Sequence, residues 1–226
     1  MNLLAFDTST EYLSIALRYK GERIDREWPA QQLHAEMALP EASRLLADAG
    51  ASWADLDGIA VSTGPGSFTG LRIGCGIVQG LAFGLDIPTV GVNTLAALAA
   101  DQDADRVLTV LDARMGEFYL AGFARNTTGW DEVLETTVVG PQNLPALPGN
   151  GWTGVGSGFT VADGLLAAHY GAAINTIVPG CFPHARGVLA LAERAFAAGQ
   201  GHAPDQLQLV YVRDKVALKT SERART

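Results

Sequence analysis

Two aspartates end apolar segments at matching places: Asp7 follows residues 3–6 and Asp112 follows residues 107–111. A carboxylate at a strand end can hold a metal–nucleotide, or it can close its own turn by accepting from the backbone N–H two residues on. Between them lies the glycine-rich run TGPGSFTG at 63–70, which opens onto a helical pattern. Its glycines permit tight turns and the close approach of a backbone or an anion. Ser67 or Thr69 can cap the helix, whose free N–H groups attract phosphate. No Lys-Ser/Thr pair closes the run, so it is not a Walker A loop. Asp7, Ser67, Thr69 and Asp112 are therefore a candidate nucleotide or anion set, set against a purely structural strand-to-helix turn.

Other donors do not assemble into sites. His34 and Glu36 form an H-x-E triplet without the Cys pair of a deaminase-type zinc centre. Cys181 and His184, in PGCFPH, are two ligands where a metal needs three or four. The helical segment after the loop carries Gly70, Gly74, Gly76, Gly80 and Gly84, two rows at i, i+4 spacing. Each glycine costs a helix about 1 kcal/mol against Ala. Both rows thus imply something packed very close, either a partner or another part of the chain. Leu71, Ile73, Val78 and Leu81 supply a separate inward face, which favours a partner.

The elements that must hold these residues follow from the hydrophobic period. Residues 2–6 are an apolar run, residues 12–17 alternate as a second strand, and a third strand at 23–28 completes a meander. Residues 34–49 change to helical spacing, with Pro40 expected to kink the helix and Gly50 to end it. A strand at 58–62, the loop, a helix at 69–84, a strand at 87–92 and a helix at 94–100 continue in the α/β manner. After a polar boundary at 101–105 the layout restarts, so that residues 107–111, Asp112 and 118–123 copy 3–6, Asp7 and 12–17. Residues 139–158 read as loop, broken by GVGSG at 154–158. Residues 159–170 and 187–198 read as helices, and 207–212 as a late strand.

The chain has 226 residues, 48% hydrophobic and 18% charged, and its composition excludes disorder as its main state. A net charge of −8, with three Lys among 16 cations and no basic run, argues against unaided nucleic-acid binding. Two cysteines are too few for a disulfide framework. MNLLAFDTST has no basic flank of a signal peptide, and no stretch reaches 18 uncharged apolar residues. The expectation is a cytoplasmic protein with no membrane segment.

FDTST after the first strand, GPGSFTGLRIG at 64–74, GVNTLAALA at 91–99, LDARMGEFY at 111–119 and VYVRDKVALK at 210–219 resemble, in this order, the TsaB (YeaZ) family. That family is required to form N6-threonylcarbamoyladenosine at position 37 of tRNAs reading ANN codons. The resemblance implies an α/β fold of two duplicated lobes, of the actin-like ATPase and ribonuclease H-like type, with mixed sheets flanked by helices. It places the N-terminal lobe at 1–102 and the C-terminal lobe at 103–226, whose last segment is a candidate to pack back on the first. The family's catalytic paralogue, TsaD, carries a paired-histidine metal motif after a similar Gly-Val-Asn. Here Thr94 and Leu98 stand in those two places, and neither can replace imidazole.

What the resemblance implies is a non-catalytic scaffold. It would bind TsaD through helices at about 34–49 and 69–84, with Met37, Glu41, Leu45, Gly70, Gly74, Gly76, Ile77 and Gly80 at the interface. The ATPase TsaE would join the pair, tRNA would be held through the partners, and the chain alone would form a homodimer. No cofactor is expected to bind it tightly, since ATP and metal belong to the partner subunits. The alternatives are an ATP-dependent small-molecule kinase or a metallopeptidase on the same fold. The first needs acids converging on Mg²⁺ in a cleft, and the second lacks an H-E-x-x-H.

Overall fold

The computed structural model describes residues 1–127 and 129–213. Leu3–Asp7 (β1), Tyr12–Tyr19 (β2) and Glu22–Pro29 (β3) form the expected meander. His34–Asp48 (α1) runs on through Pro40 and is followed by Gly58–Gly64 (β4), Phe68–Leu85 (α2), Thr89–Asn93 (β5) and Thr94–Ala100 (α3). The second half supplies Arg106–Asp112 (β6), Phe118–Arg125 (β7), Trp130–Val139 (β8) and Trp152–Gly156 (β9). It continues with Gly158–Val161 (α4), Leu165–Tyr170 (α5), Ile174–Pro179 (β10) and Ala185–Ala197 (α6).

The strands form two five-stranded sheets, ordered β3-β2-β1-β4-β5 and β8-β7-β6-β9-β10. In each, the first strand is antiparallel to the second and parallel to the fourth. The order is the same one repeat later, so the Asp7/Asp112 echo is a duplication of the whole sheet. This is the two-lobed, actin-like arrangement that the resemblance implies.

The last helix of each half crosses over. Leu95, Leu98 and Ala99 of α3 are buried with Val107, Leu111, Phe123 and Val155 of the second sheet. Ala185, Val188, Leu189, Ala192 and Phe196 of α6 are buried with Leu3, Ala5, Ala16 and Ala60 of the first. At roughly 1.5–3 kcal/mol for each large apolar side chain, this exchange joins the halves firmly. A cut at 102/103 separates the two sheets but not the two packing units. On the other face of the first sheet, α1 and α2 cover Leu4, Phe6, Leu13 and Ile15.

Three sequence expectations are corrected. Residues 139–158 contain β9, hidden because a parallel strand buried on both faces loses its alternation. Gly154 lies under the Phe159 ring and Gly156, at φ +114°, against the Val110 carbonyl. The run 159–170 is two short helices, parted where Asp163 and Gly164 take positive φ. Residues 207–212 form no strand; the segment joins the first sheet through the bond from Val210 N–H to the Thr63 carbonyl. The motif residues 214–219 and the polar tail to 226 lie outside the described residues. Among the described residues, α2 has the length and hydropathy of a membrane span, but it carries Arg72 and buries Cys75, Val78 and Ala82 in the core.

Candidate functional site

The glycine rows on α2 divide. A Cβ on Gly70 would lie 2.0 Å from the Thr8 carbonyl oxygen, and one on Gly74 2.3 Å from Thr8 Oγ1. These two glycines let α2 sit on the turn between β1 and β2, so both are withdrawn from the predicted interface. Leu45 is withdrawn as well, because its side chain is in the core. At Gly76, Gly80 and Gly84 a Cβ would meet nothing within 4 Å. Packing within the described chain does not explain this second row, although each member weakens the helix.

The open row lies on an apolar surface. Ile73 and Ile77 are half-buried beside it, and Phe83, three residues after Gly80, is 82% exposed. Met37 and Glu41 of α1 are half-buried, the latter paired with Arg44, while Leu39 of α1 is exposed. Sequence reading missed Phe83. Its spacing from Gly76 and Gly80, seven and three residues, was the available signal.

The candidate anion set resolves into local structure. Asp7 Oδ1 accepts from the backbone N–H of Ser9 at 2.9 Å and from its hydroxyl at 2.7 Å. Asp112 Oδ1 accepts from Arg114 N–H at 2.7 Å. Both aspartates therefore close the same turn in the two repeats, the structural alternative of the two. Ser67 caps α2 by accepting from Gly70 N–H, while its own N–H donates to the Ser9 carbonyl at 2.7 Å. Gly66 and Gly70 abut the Ser9 and Thr8 carbonyl oxygens. Those glycines let the loop pack directly against the turn between β1 and β2. Thr69 is exposed on the first turn of α2.

Between the halves lies a cleft of about 670 Å³, lined among others by Ser67, Phe68, Asp112, Tyr119, Tyr211 and Arg213. Asp112 faces it but is paired with Arg114 at 3.2 Å. Asp7 is fully buried, and its Oδ2 has no hydrogen-bond partner among the described residues. Burial pushes the Asp7 carboxyl above its ordinary 3.8, against the lowering effect of its bonds to Ser9 and of the nearby Ser62 hydroxyl. An acid held above its ordinary value contributes stability at low pH and loses it as pH rises through the folded value. At neutral pH its charge is thus a net cost. Asp7→Asn keeps the acceptor for Ser9 and offers an N–H to Ser62 across the strand pair. We expect it to be more stable than wild type by about 1–3 kcal/mol at pH 7, read as a higher urea midpoint. A lower midpoint would mean that the carboxylate has a proton donor.

Thr94 and Leu98 are both 0% exposed. Thr94 Oγ1 accepts from Gly64 N–H at 3.1 Å, and Leu98 is in the second-half core. Neither side chain can ligate a metal as imidazole does, and no group of three metal-ligating side chains occurs among the described residues. A resident metal of the catalytic-paralogue type does not fit these residues.

His34 sits buried with Nε2 3.2 Å from the Tyr12 carbonyl. His184 caps α6, its Nδ1 accepting from Arg186 N–H at 3.2 Å while Nε2 faces Asp25 and Glu27 at 3.6 and 3.7 Å. Burial, then the neighbouring Arg186, hold the His184 imidazole below its ordinary 6.5, outweighing the nearby carboxylates. Its contribution to stability is complete above 6.5 and lost as pH falls below that value. His184→Asn keeps a cap and cannot ionise. Thermal melting across the acid range should therefore show the wild type losing ground to the variant on acidification; parallel curves would refute this.

A family model described as TsaD, tRNA N6-adenosine threonylcarbamoyltransferase, matches residues 29–169. The tRNA threonylcarbamoyladenosine biosynthesis protein TsaB of Escherichia coli (strain K12) is 36% identical over 234 residues, 97% of each chain. The protein of the same name from Haemophilus influenzae (strain ATCC 51907 / DSM 11121 / KW20 / Rd) is 32% identical over 232 residues, 97% of this chain and 96% of that one. Among solved structures, YeaZ from Pseudomonas aeruginosa superposes with a TM-score of 0.84 at 35% identity, covering 93% of this chain and 99% of that one.

Proposed function

The chain belongs to the TsaB family of tRNA threonylcarbamoyladenosine biosynthesis proteins, and from that premise we propose that it is a non-catalytic scaffold. In this reading it docks and activates the catalytic subunit TsaD, which forms N6-threonylcarbamoyladenosine at position 37 of tRNAs reading ANN codons. The observation that carries the reading is the open glycine row of α2, bordered by exposed Phe83, which packing within the described chain leaves unexplained. Helices approach closely where small residues recur every fourth position. The buried Thr94 and Leu98 support the other half of the reading, that metal chemistry belongs to the partner. ATP would likewise be handled by the partner subunits, TsaE among them, and tRNA would be reached through the assembly. Alone, the same face would pair two copies of this chain.

The test is light scattering on a sizing column, with the chain alone and then with purified TsaD. A one-to-one complex that replaces any homodimer is expected. Separate elution at micromolar concentration would overturn the reading, and ATP turnover by the isolated chain would then favour the kinase alternative.

A further inference from the structure

The segment at 207–213 touches both the α2 face and the far wall of the cleft. Its first part is fixed to the N-terminal half. Leu207 is 7% exposed, and its carbonyl accepts from Gln79 Nε2 of α2 at 3.1 Å. Val210 N–H donates to the Thr63 carbonyl at 2.9 Å, and a Cβ on Gly64 would lie 2.7 Å from the Val210 oxygen. The Tyr211 ring packs on Phe68 with centroids 5.9 Å apart, and its hydroxyl lies 3.3 Å from Arg72 Nη2. Two residues later the chain reaches the other half. Arg213 Nη2 donates to the Ala113 carbonyl at 3.0 Å and to Glu117 Oε2 at 2.5 Å, in the turn between β6 and β7. Its guanidinium is largely buried, 5.9 Å from the Tyr119 ring centroid.

The halves therefore cannot part at this mouth of the cleft without breaking the Arg213 contacts or pulling Tyr211 and Val210 from the N-terminal half. The same segment walls a groove beside Arg72, Cys75, Gly76 and Gln79, and Gly76 belongs to the open row. We propose that residues 207–213 form a strap that couples the cleft to the docking face. The cleft closed by the Arg213 latch holds α2 and its flanking groove in docking form, and a docked partner in turn holds the latch shut. This rests on the docking reading above and adds its regulation. Such coupling is reciprocal, because each event shifts one shared equilibrium.

The test is hydrogen exchange at the Val210 amide, with and without purified TsaD, together with the dissociation constant for TsaD. In the wild type, added TsaD should slow Val210 exchange. Arg213→Ala should speed that exchange in the free chain and weaken TsaD binding by about tenfold. Glu117→Gln, which keeps an acceptor and the shape of the turn, should move both readouts the same way by less. If Arg213→Ala and Glu117→Gln bind TsaD as the wild type does, or if TsaD leaves Val210 exchange unchanged, the strap is overturned while docking stands. If the wild type forms no complex, the docking reading fails first and takes the coupling with it.

Discussion

Gly80→Leu should lose association with TsaD, and with a second copy of the chain, by roughly thirtyfold or more, while the free protein melts no lower than wild type. The two halves of that result have separate causes. Within the subunit a Cβ at Gly80 would meet nothing within 4 Å, so the added side chain projects into open space. Leu is also a far better helix former than Gly, by up to about 1 kcal/mol, so α2 should become firmer. Against a partner helix the same side chain fills the space that the glycine row left for a backbone. Gly76→Leu should behave alike, one turn earlier on the same open row. Sedimentation velocity reads association and thermal melting reads folding. Unchanged association in both variants would leave the row as a solvent-facing surface and remove the observation on which the scaffold reading stands.

The duplication was legible because it is written in local chemistry. Asp7 and Asp112 each end a strand and each close a turn onto the N–H two residues later, so matching sequence gave matching geometry. Most of α1 and α2, and all of α3, could be read from their spacing. β9 could not, since Gly154 and Gly156 are there to admit the Phe159 ring and the Val110 carbonyl, and those neighbours lie elsewhere in the chain. β8 and β10 were missed as well. The exchange of α3 and α6 between sheets is likewise invisible, because an apolar helix face does not name the sheet it covers. The candidate site was half legible for the same reason. A helical period shows that Gly70 and Gly76 stand on different faces, but not that Thr8 waits on one side and open space on the other.

Gly70→Ala, a smaller change than Gly80→Leu, should be the more damaging to the fold. Its methyl group would lie 2.0 Å from the Thr8 carbonyl oxygen and 3.3 Å from Ser67 Oγ. A flexible side chain could swing away, but the nearer atom is backbone, and the turn that carries it is fixed from both sides. Thr8 Oγ1 donates to the Gly70 carbonyl at 2.8 Å, and Asp7 holds the N–H and hydroxyl of Ser9. Relief therefore requires α2 to lift from the sheet, which would loosen Leu71, Cys75 and Val78 in the core beneath it. Overpacking of this kind costs about 3 kcal/mol or more when backbone must move. That is a large share of the roughly 5–15 kcal/mol by which a domain is stable. The measurement is the urea midpoint of Gly70→Ala beside that of Gly80→Ala. The first should fall sharply and the second hold or rise, although both replace a glycine by alanine in one helix. Equal midpoints would mean that α2 does not rest on the β1–β2 turn, and the division of the two glycine rows would fall with it.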